Sequence, residues 1–208
     1  VGTARTGLAA ASYGGDKAIF GYGQIDGGAK SSLTNLVGNT GTVASDVSGV
    51  GTARAYLAAA SYGGDKAIFG YGETGSYVSM TNLVNNSGVV AADVTGVGTA
   101  RRLLAAAGYG EDKAIFGYGQ SSGGYVSMTN LVNSSGVVAA DVSGVGTARR
   151  LLAAASYGGD KAIFGYGFTG SNVSMSNLVN NSGVVAADVT GVGTARYALG
   201  AAGYSYSA

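Results

Sequence analysis

The sequence predicts an all-β protein built from one repeated antiparallel unit, and three observations carry this. The first is a strict internal period. "GTAR" ends at Arg5, Arg54, Arg101, Arg149 and Arg196, and "DKAIFGYG" places its lysine at Lys17, Lys66, Lys113 and Lys161. The spacings stay between 47 and 49 residues, which marks a tandem array rather than chance similarity. The second is punctuation, with 39 glycines and no proline among 208 residues. The third is that aromatic and β-branched residues fall in short runs between those glycines, as pleated strands require. A hydrophobic content of 46% with 14 tyrosines separates the chain from Gly-rich disordered sequences.

Each repeat reads as four extended runs. The first, "RRLLAAAGYG" from Arg101, is apolar and small-residued, as in a strand buried on both faces. A helix over the Ala run is the alternative, but it would be short and would open and close on glycines. "GG" or "GE" before Asp-Lys then predicts a tight turn. The second run, "KAIFGYG", holds the aromatic and β-branched residues. A variable loop such as "ETGS" or "QSSGG" leads to the third, "YVSMTNLVN", which alternates apolar and polar residues. A turn at "NSG" or "SSG" delivers the fourth, "VVAADV", whose aspartate recurs as Asp46 (in "TVASDV"), Asp93, Asp141 and Asp188.

Four short antiparallel strands in about 48 residues is the size of a propeller blade. A β-helix takes fewer residues per coil, and a sandwich has no reason to repeat at one period. The expected architecture is therefore a β-propeller of four-stranded antiparallel blades in a single domain, residues 1–208. Its repeats are 1–49, 50–96, 97–144 and 145–192, and a surplus first strand follows at 193–208. Beginning inside a repeat, with no charged-then-apolar leader, the sequence looks like a processed chain or an excerpt from a longer array.

Composition narrows the chemistry. Charged residues are 11% of the chain and the formal net charge is +1, so there is no basic footprint for nucleic acid. No apolar run reaches the length of a membrane span. With no Cys and no His, disulfides, tetrahedral zinc sites and the usual nucleophile–base pairs are not available. No catalytic residue, cofactor or metal ligand is expected, and the chain reads as a non-enzyme.

Most charges recur in every repeat, where a residue needed once for catalysis has no reason to be. Arg5, Arg54, Arg101, Arg149 and Arg196 and the aspartates Asp46, Asp93, Asp141 and Asp188 are expected to join adjacent blades through Arg–carboxylate contacts. Tyr22, Tyr71, Tyr118 and Tyr166 repeat inside the second strand and read as core or interblade packing. Six charges break the pattern: Asp26, Lys30, Glu73, Arg102, Glu111 and Arg150. Of these, Asp26, Lys30 and Glu73 fall in variable loops, with Tyr77 and Tyr125 just after such loops. These five are the candidate ligand or partner residues. Asn85, Asn133, Asn172 and Asn180 open N-x-S sequences, glycan acceptors in a secreted protein, although three of them occupy a turn that favours Asn anyway. "GYGETG" at Gly70–Gly75 and "GYGFTG" at Gly165–Gly170 match GxGxxG, but a strand-like run follows each rather than the helix a dinucleotide site needs.

The stretch "ARRLLAAAGYGEDKAIFGYG" resembles the first half of a kelch repeat: an Arg, a small apolar strand, a tight turn, then an aromatic strand ending in glycines. "GYG" stands where kelch repeats carry a glycine doublet, and the later kelch Trp is absent. The resemblance implies a β-propeller used for binding, with occasional enzymatic relatives. The Gly/Ala/Tyr-rich wording is also similar to tandem arrays in tail-fibre-like proteins of aquatic phages and bacteria. The function expected is a non-enzymatic structural or binding module of an extracellular fibre or virion appendage, self-associating into an oligomer or filament, with no nucleic-acid or membrane partner. The second expectation is a lectin-like propeller with shallow loop sites for a cell-surface glycan, and the third a kelch-related enzyme. The surplus strand leaves three outcomes open: a longer array, a ring with more blades, or pairing with another molecule.

Overall fold

The computed structural model describes residues 2–203, so Val1 and the last five residues of the surplus strand, 204–208, lie outside the described residues. The described residues are strands, turns and loops with no helix. Four small antiparallel sheets follow one another along the chain. The first holds β1 (Ala9–Tyr13), β2 (Lys17–Gly21) and β3 (Thr34–Val37), paired in that order, and the second β4 (Ala58–Tyr62), β5 (Lys66–Gly70) and β6 (Thr81–Val84). The third holds β7 (Ala105–Tyr109) and β8 (Lys113–Gly117), a loop hairpin of β9 (Gln120–Ser121) and β10 (Gly124–Tyr125), then β11 (Thr129–Val132). The fourth holds β12 (Ala153–Tyr157), β13 (Lys161–Phe168) and β14 (Asn172–Val179).

Registers are equivalent in every repeat: Ala9 faces Gly21, Ala58 faces Gly70, Ala105 faces Gly117 and Ala153 faces Gly165. The tight turn falls where expected. Gly14 and Gly15 take φ of 61° and 80°, but the third repeat has Glu111 in the second place at φ 68°. At the far end of the second strand the tyrosine of "GYG" is itself left-handed, with φ of 64° at Tyr22 and Tyr71. That reversal ends the strand in the first three repeats and makes a bulge between Gly165 and Gly167 in the fourth.

The fourth run is not a regular strand. In the second repeat it touches β6 only through bridges from Thr81 to Val94 and from Val84 to Val90. Three steps on one side match four on the other, which is a bulge. The Asn82 side chain fills the gap, its Nδ2 donating to the Ala91 carbonyl at 3.0 Å and to Asp93 Oδ1 at 2.9 Å. Each repeat therefore has three regular strands and a bridged fourth segment.

Sheets of successive repeats pack face to face. First strands of neighbours approach each other closely, and each also meets the second strand of the adjoining repeat, whereas neighbouring second strands lie farther apart. The sheets thus fan out from a line of first strands, and the Ala-rich composition there permits the close approach. Ser61 Oγ donates to the Ser12 carbonyl at 3.1 Å across one such contact. A file of backbone hydrogen bonds runs through the series: Tyr56 N–H to Gly7 O, Leu103 to Tyr56, Leu151 to Leu103, and Ala198 to Leu151, all between 2.7 and 2.9 Å.

The core lies between repeats. One face of the first repeat (Tyr13, Ile19, Tyr22) packs on Leu57, Ala67, Phe69 and Val84 of the second, and the pattern recurs at the next two boundaries. β4 and β7 are alternately buried and half-buried, whereas β1 alternates half-buried and exposed residues before Tyr13 and β12 is half-buried throughout. Phe20, on the outer face of the first repeat, is 37% exposed, and Leu178, on that of the fourth, 40%. The described residues form an open series, not a closed ring.

Candidate functional site

The most frequently built feature of the chain is the joint between repeats. In "IFGYG" the chain places, in order, a ring for the preceding repeat, a glycine for the following ring, and a tyrosine for the following arginine. Phe69, Phe116 and Phe164 are fully buried. Each sits on the glycine of the repeat before it: a Cβ on Gly21, Gly70 or Gly117 would stand 2.6 Å from the ring Cζ of Phe69, Phe116 or Phe164. Only glycine allows that approach. Tyr22 meets Phe69 edge-on at 5.2 Å between centroids, and the next two boundaries repeat this distance.

The repeated arginines complete the joint. Arg54, Arg101 and Arg149 are fully buried. Their guanidinium carbons lie 4.2, 4.2 and 4.3 Å from the ring centres of Tyr22, Tyr71 and Tyr118 in the preceding repeat. Arg101 Nε donates to the Tyr118 carbonyl at 3.0 Å, Nη1 to the Thr99 carbonyl at 3.1 Å and Nη2 to Asn130 Oδ1 at 2.7 Å. The tyrosine hydroxyl in turn donates forward, Tyr71 to the Val97 carbonyl at 3.2 Å.

The expected Arg–carboxylate link between neighbours is corrected in one respect. Arg54, Arg101 and Arg149 pair with Asp93, Asp141 and Asp188 of their own repeats, at 3.8, 3.8 and 3.9 Å. The boundary is crossed by arginine on tyrosine, because the bulged fourth segment returns to its own third strand. Each aspartate instead ties the start of its repeat to the end: Thr52 N–H and Oγ1 donate to Asp93 Oδ2 at 2.9 and 2.6 Å. Burial opposes the charge on Asp93, Asp141 and Asp188, yet hydrogen bonds from threonine and asparagine hold all three below the usual carboxylate range. Asp46, bonded to Thr3 and Asn35, is brought down to about 2. Burial disfavours the arginine charge, and pushes the Tyr71 phenol up to about 12. At the ends, Arg5 bonds Leu33 O and Asn35 Oδ1, and Arg196 lies 4.4 Å from the Tyr166 ring.

The variable loops build a second cluster. Lys30 Nζ donates to Glu73 Oε1 at 2.9 Å, and Arg102 Nη1 donates to Glu73 Oε2. Lys30 and Arg102 lie over the Tyr56 ring at 5.2 and 5.8 Å, and Arg102 over Tyr77 at 5.1 Å. Burial opposes ionisation of Glu73, but its two cations hold it below its ordinary value. Of the five loop candidates, Lys30, Glu73 and Tyr77 are thus brought together. Tyr125 joins a separate group, with Arg150 5.2 Å over its ring and Phe168 at 6.3 Å. Asp26 is exposed and in neither. Tyr56, the remaining aromatic of this cluster, is marked in the sequence only by its departure from Gly7, Leu103, Leu151 and Ala198 at the same place in the other repeats.

No family model and no curated protein matches the chain. The site is accordingly defined by its geometry alone. Asn85, Asn133 and Asn180 are exposed, and their Oδ1 atoms each accept two backbone N–H groups of the turn that follows, as at Ser87 and Val89. Asn172 opens β14 and is exposed. Both GxGxxG stretches run into strand or loop with no helix after them. Among the described residues no three His, Cys, Asp or Glu side chains come together.

Proposed function

We propose that the chain is a structural repeat module that assembles through its ends, in an extracellular fibre or virion appendage, and has no catalytic role. One observation carries the reading: a single interface is built three times among the described residues, and its two halves stand part-exposed on the first and fourth repeats, at Phe20 and Leu178. Nine charged residues, the five repeated arginines and the four repeated aspartates, belong to that scaffold. Buried arginines sit on tyrosines, and the repeat aspartates accept from threonine and asparagine, which suits packing rather than acid–base chemistry. The fanning of the sheets from a line of first strands supports a propeller-like arc of the kelch kind, in which further repeats or a second chain would complete the ring. Purified protein imaged by negative-stain electron microscopy is expected to form rings or fibres. Monodisperse single chains at all concentrations would reject the module.

The loop cluster favours a second reading, a glycan-binding array. Tyr56 and Tyr77 flank Arg102 beside Glu73, an arrangement of aromatic faces and polar groups that suits a sugar. The cations and the carboxylate already satisfy one another, which places this reading second. A glycan array with wild type and Tyr77→Ala separates the two: binding lost in the variant supports the lectin. A kelch-related enzyme stands third.

A further inference from the structure

The front face of the first repeat and the back face of the fourth are halves of one interface. At the front, Phe20 occupies the place of Phe69, Phe116 and Phe164, but it is 37% exposed while those three are fully buried. Ala10 beside it is exposed, and Leu8 is half-buried where Leu57 and Leu104 are buried. At the back, Gly165 occupies the place of Gly21, Gly70 and Gly117, yet nothing lies within 4 Å of where its Cβ would be. A cavity of about 290 Å³ opens there, walled by Ala153, Ala155, Ile163 and Tyr166. We propose that a second copy of this chain docks head to tail, seating its Phe20 on Gly165 of the first. This rests on the self-assembly reading and names its contact.

A second copy is favoured over any unrelated partner because the docked joint would continue an interface the chain already builds three times. The incoming Ala10 and Phe20 would meet Ala153, Ile163 and Gly165 as Ala59 and Phe69 meet Ala9, Ile19 and Gly21. Such a contact uses different surfaces on the two copies, so it either closes into a ring or extends into a fibre.

The segment 193–203 is the rival for this place. It lays Arg196 over Tyr166, donates from Ala198 N–H to Leu151 O, and puts Leu199 and Ala201 at the cavity wall. Those are the positions of a first strand in a following repeat, and residues 5–13 of an incoming copy bring the same set. The segment carries no second strand and no phenylalanine, whereas β1 is locked to β2 through five residue pairs. The incoming strand therefore displaces it. The C-terminal segment acts as a cap on the socket.

Sedimentation velocity over a wide concentration range tests this with the full chain, a chain lacking 193–208, and each carrying Phe20→Asp or Gly165→Leu. Both substitutions lie on open faces, so circular dichroism and melting should stay as in wild type. The full chain is expected to associate, the truncated chain at about tenfold lower concentration, and either substitution to return both to monomers. Association unaffected by the two substitutions overturns this interface and leaves the self-assembly reading standing. Full and truncated chains that both remain monomeric overturn the self-assembly reading as well. Weaker association after truncation overturns the cap and makes the segment a donated strand.

Discussion

The guanidinium carbon of Arg101 lies 4.2 Å from the centre of the Tyr71 ring, across the boundary between the second and third repeats. The same arginine bonds Tyr118 O, Thr99 O and Asn130 within its own repeat. It is thus the point at which one repeat's internal closure is fastened to its neighbour. Arg101→Met leaves two carbonyls, an amide oxygen and Asp141 without their cation, and is expected to destabilise the chain by about 3 kcal/mol. Arg101→Lys is expected to recover little of this, since an ammonium cannot reproduce the planar fork or its stacking. Urea denaturation of the three proteins checks both; a Lys variant matching wild type would show that charge alone suffices.

Gly117 and Gly165 are the same position in consecutive repeats with opposite surroundings. A Cβ on Gly117 would meet the Phe164 ring at 2.6 Å, and one on Gly165 would meet nothing within 4 Å. Gly117→Ala is expected to cost about 1–3 kcal/mol through overpacking, and Gly165→Ala to be neutral or slightly stabilising. Thermal melts of the two variants, compared directly, decide this.

Glu111 has φ of 68° in a turn where the other repeats place Gly15, Gly64 and Gly159 at 80°, 77° and 82°. A left-handed non-glycine residue costs roughly 1 kcal/mol, partly offset by the greater freedom of an unfolded glycine. Glu111→Gly is therefore expected to raise stability by about 0.5 kcal/mol. A lower melting temperature would mean that the Glu111 side chain contributes more than the turn geometry costs.

Stability should fall at both extremes of pH. Asp46 titrates at about 2 in the folded chain against about 3.9 unfolded, so the fold prefers its anion. That contribution is present above about pH 4 and is lost as pH falls towards 2. The other three repeat aspartates shift the same way. Tyr71 titrates at about 12 in the folded chain against about 10 unfolded, so the fold prefers its neutral phenol. Its contribution holds below about pH 10 and disappears towards 12. Urea midpoints measured across this range should form a plateau bounded by those two windows. A plateau running unchanged to pH 2 would show that the aspartate contacts are absent in solution.

Local structure was legible because it repeats. The turn at Gly14–Gly15, the pairing of the Ala run with "KAIF", and the strand end at "GYG" in the first three repeats follow from period, glycine placement and alternation in one short window, whereas in the fourth repeat "GYG" lies within β13. The fourth run misled, because "VVAADV" has strand composition, yet the Asn82 side chain takes the ladder's place. That exchange involves a residue seven positions before the run begins, beyond any local pattern. The loop cluster was half legible: Lys30, Glu73 and Tyr77 stand out as departures from the repeat, but nothing local joins Lys30 to a carboxylate 43 residues away.

By itself the sequence determined the unit: its length, its first two paired strands, its turn and the residues that recur. Those properties depend on contacts within a few residues and on an alternation that burial enforces. Tertiary structure alone decided which partners the recurring residues take. Arg54 faces its own Asp93 and its neighbour's Tyr22 because a bulged segment folds back while a ring crosses the boundary. It also decided that, among the described residues, the face of Phe20 and the face of Gly165 do not meet one another. A periodic sequence specifies every joint alike. Only the packed chain distinguishes the joints that are filled from the two faces that are not.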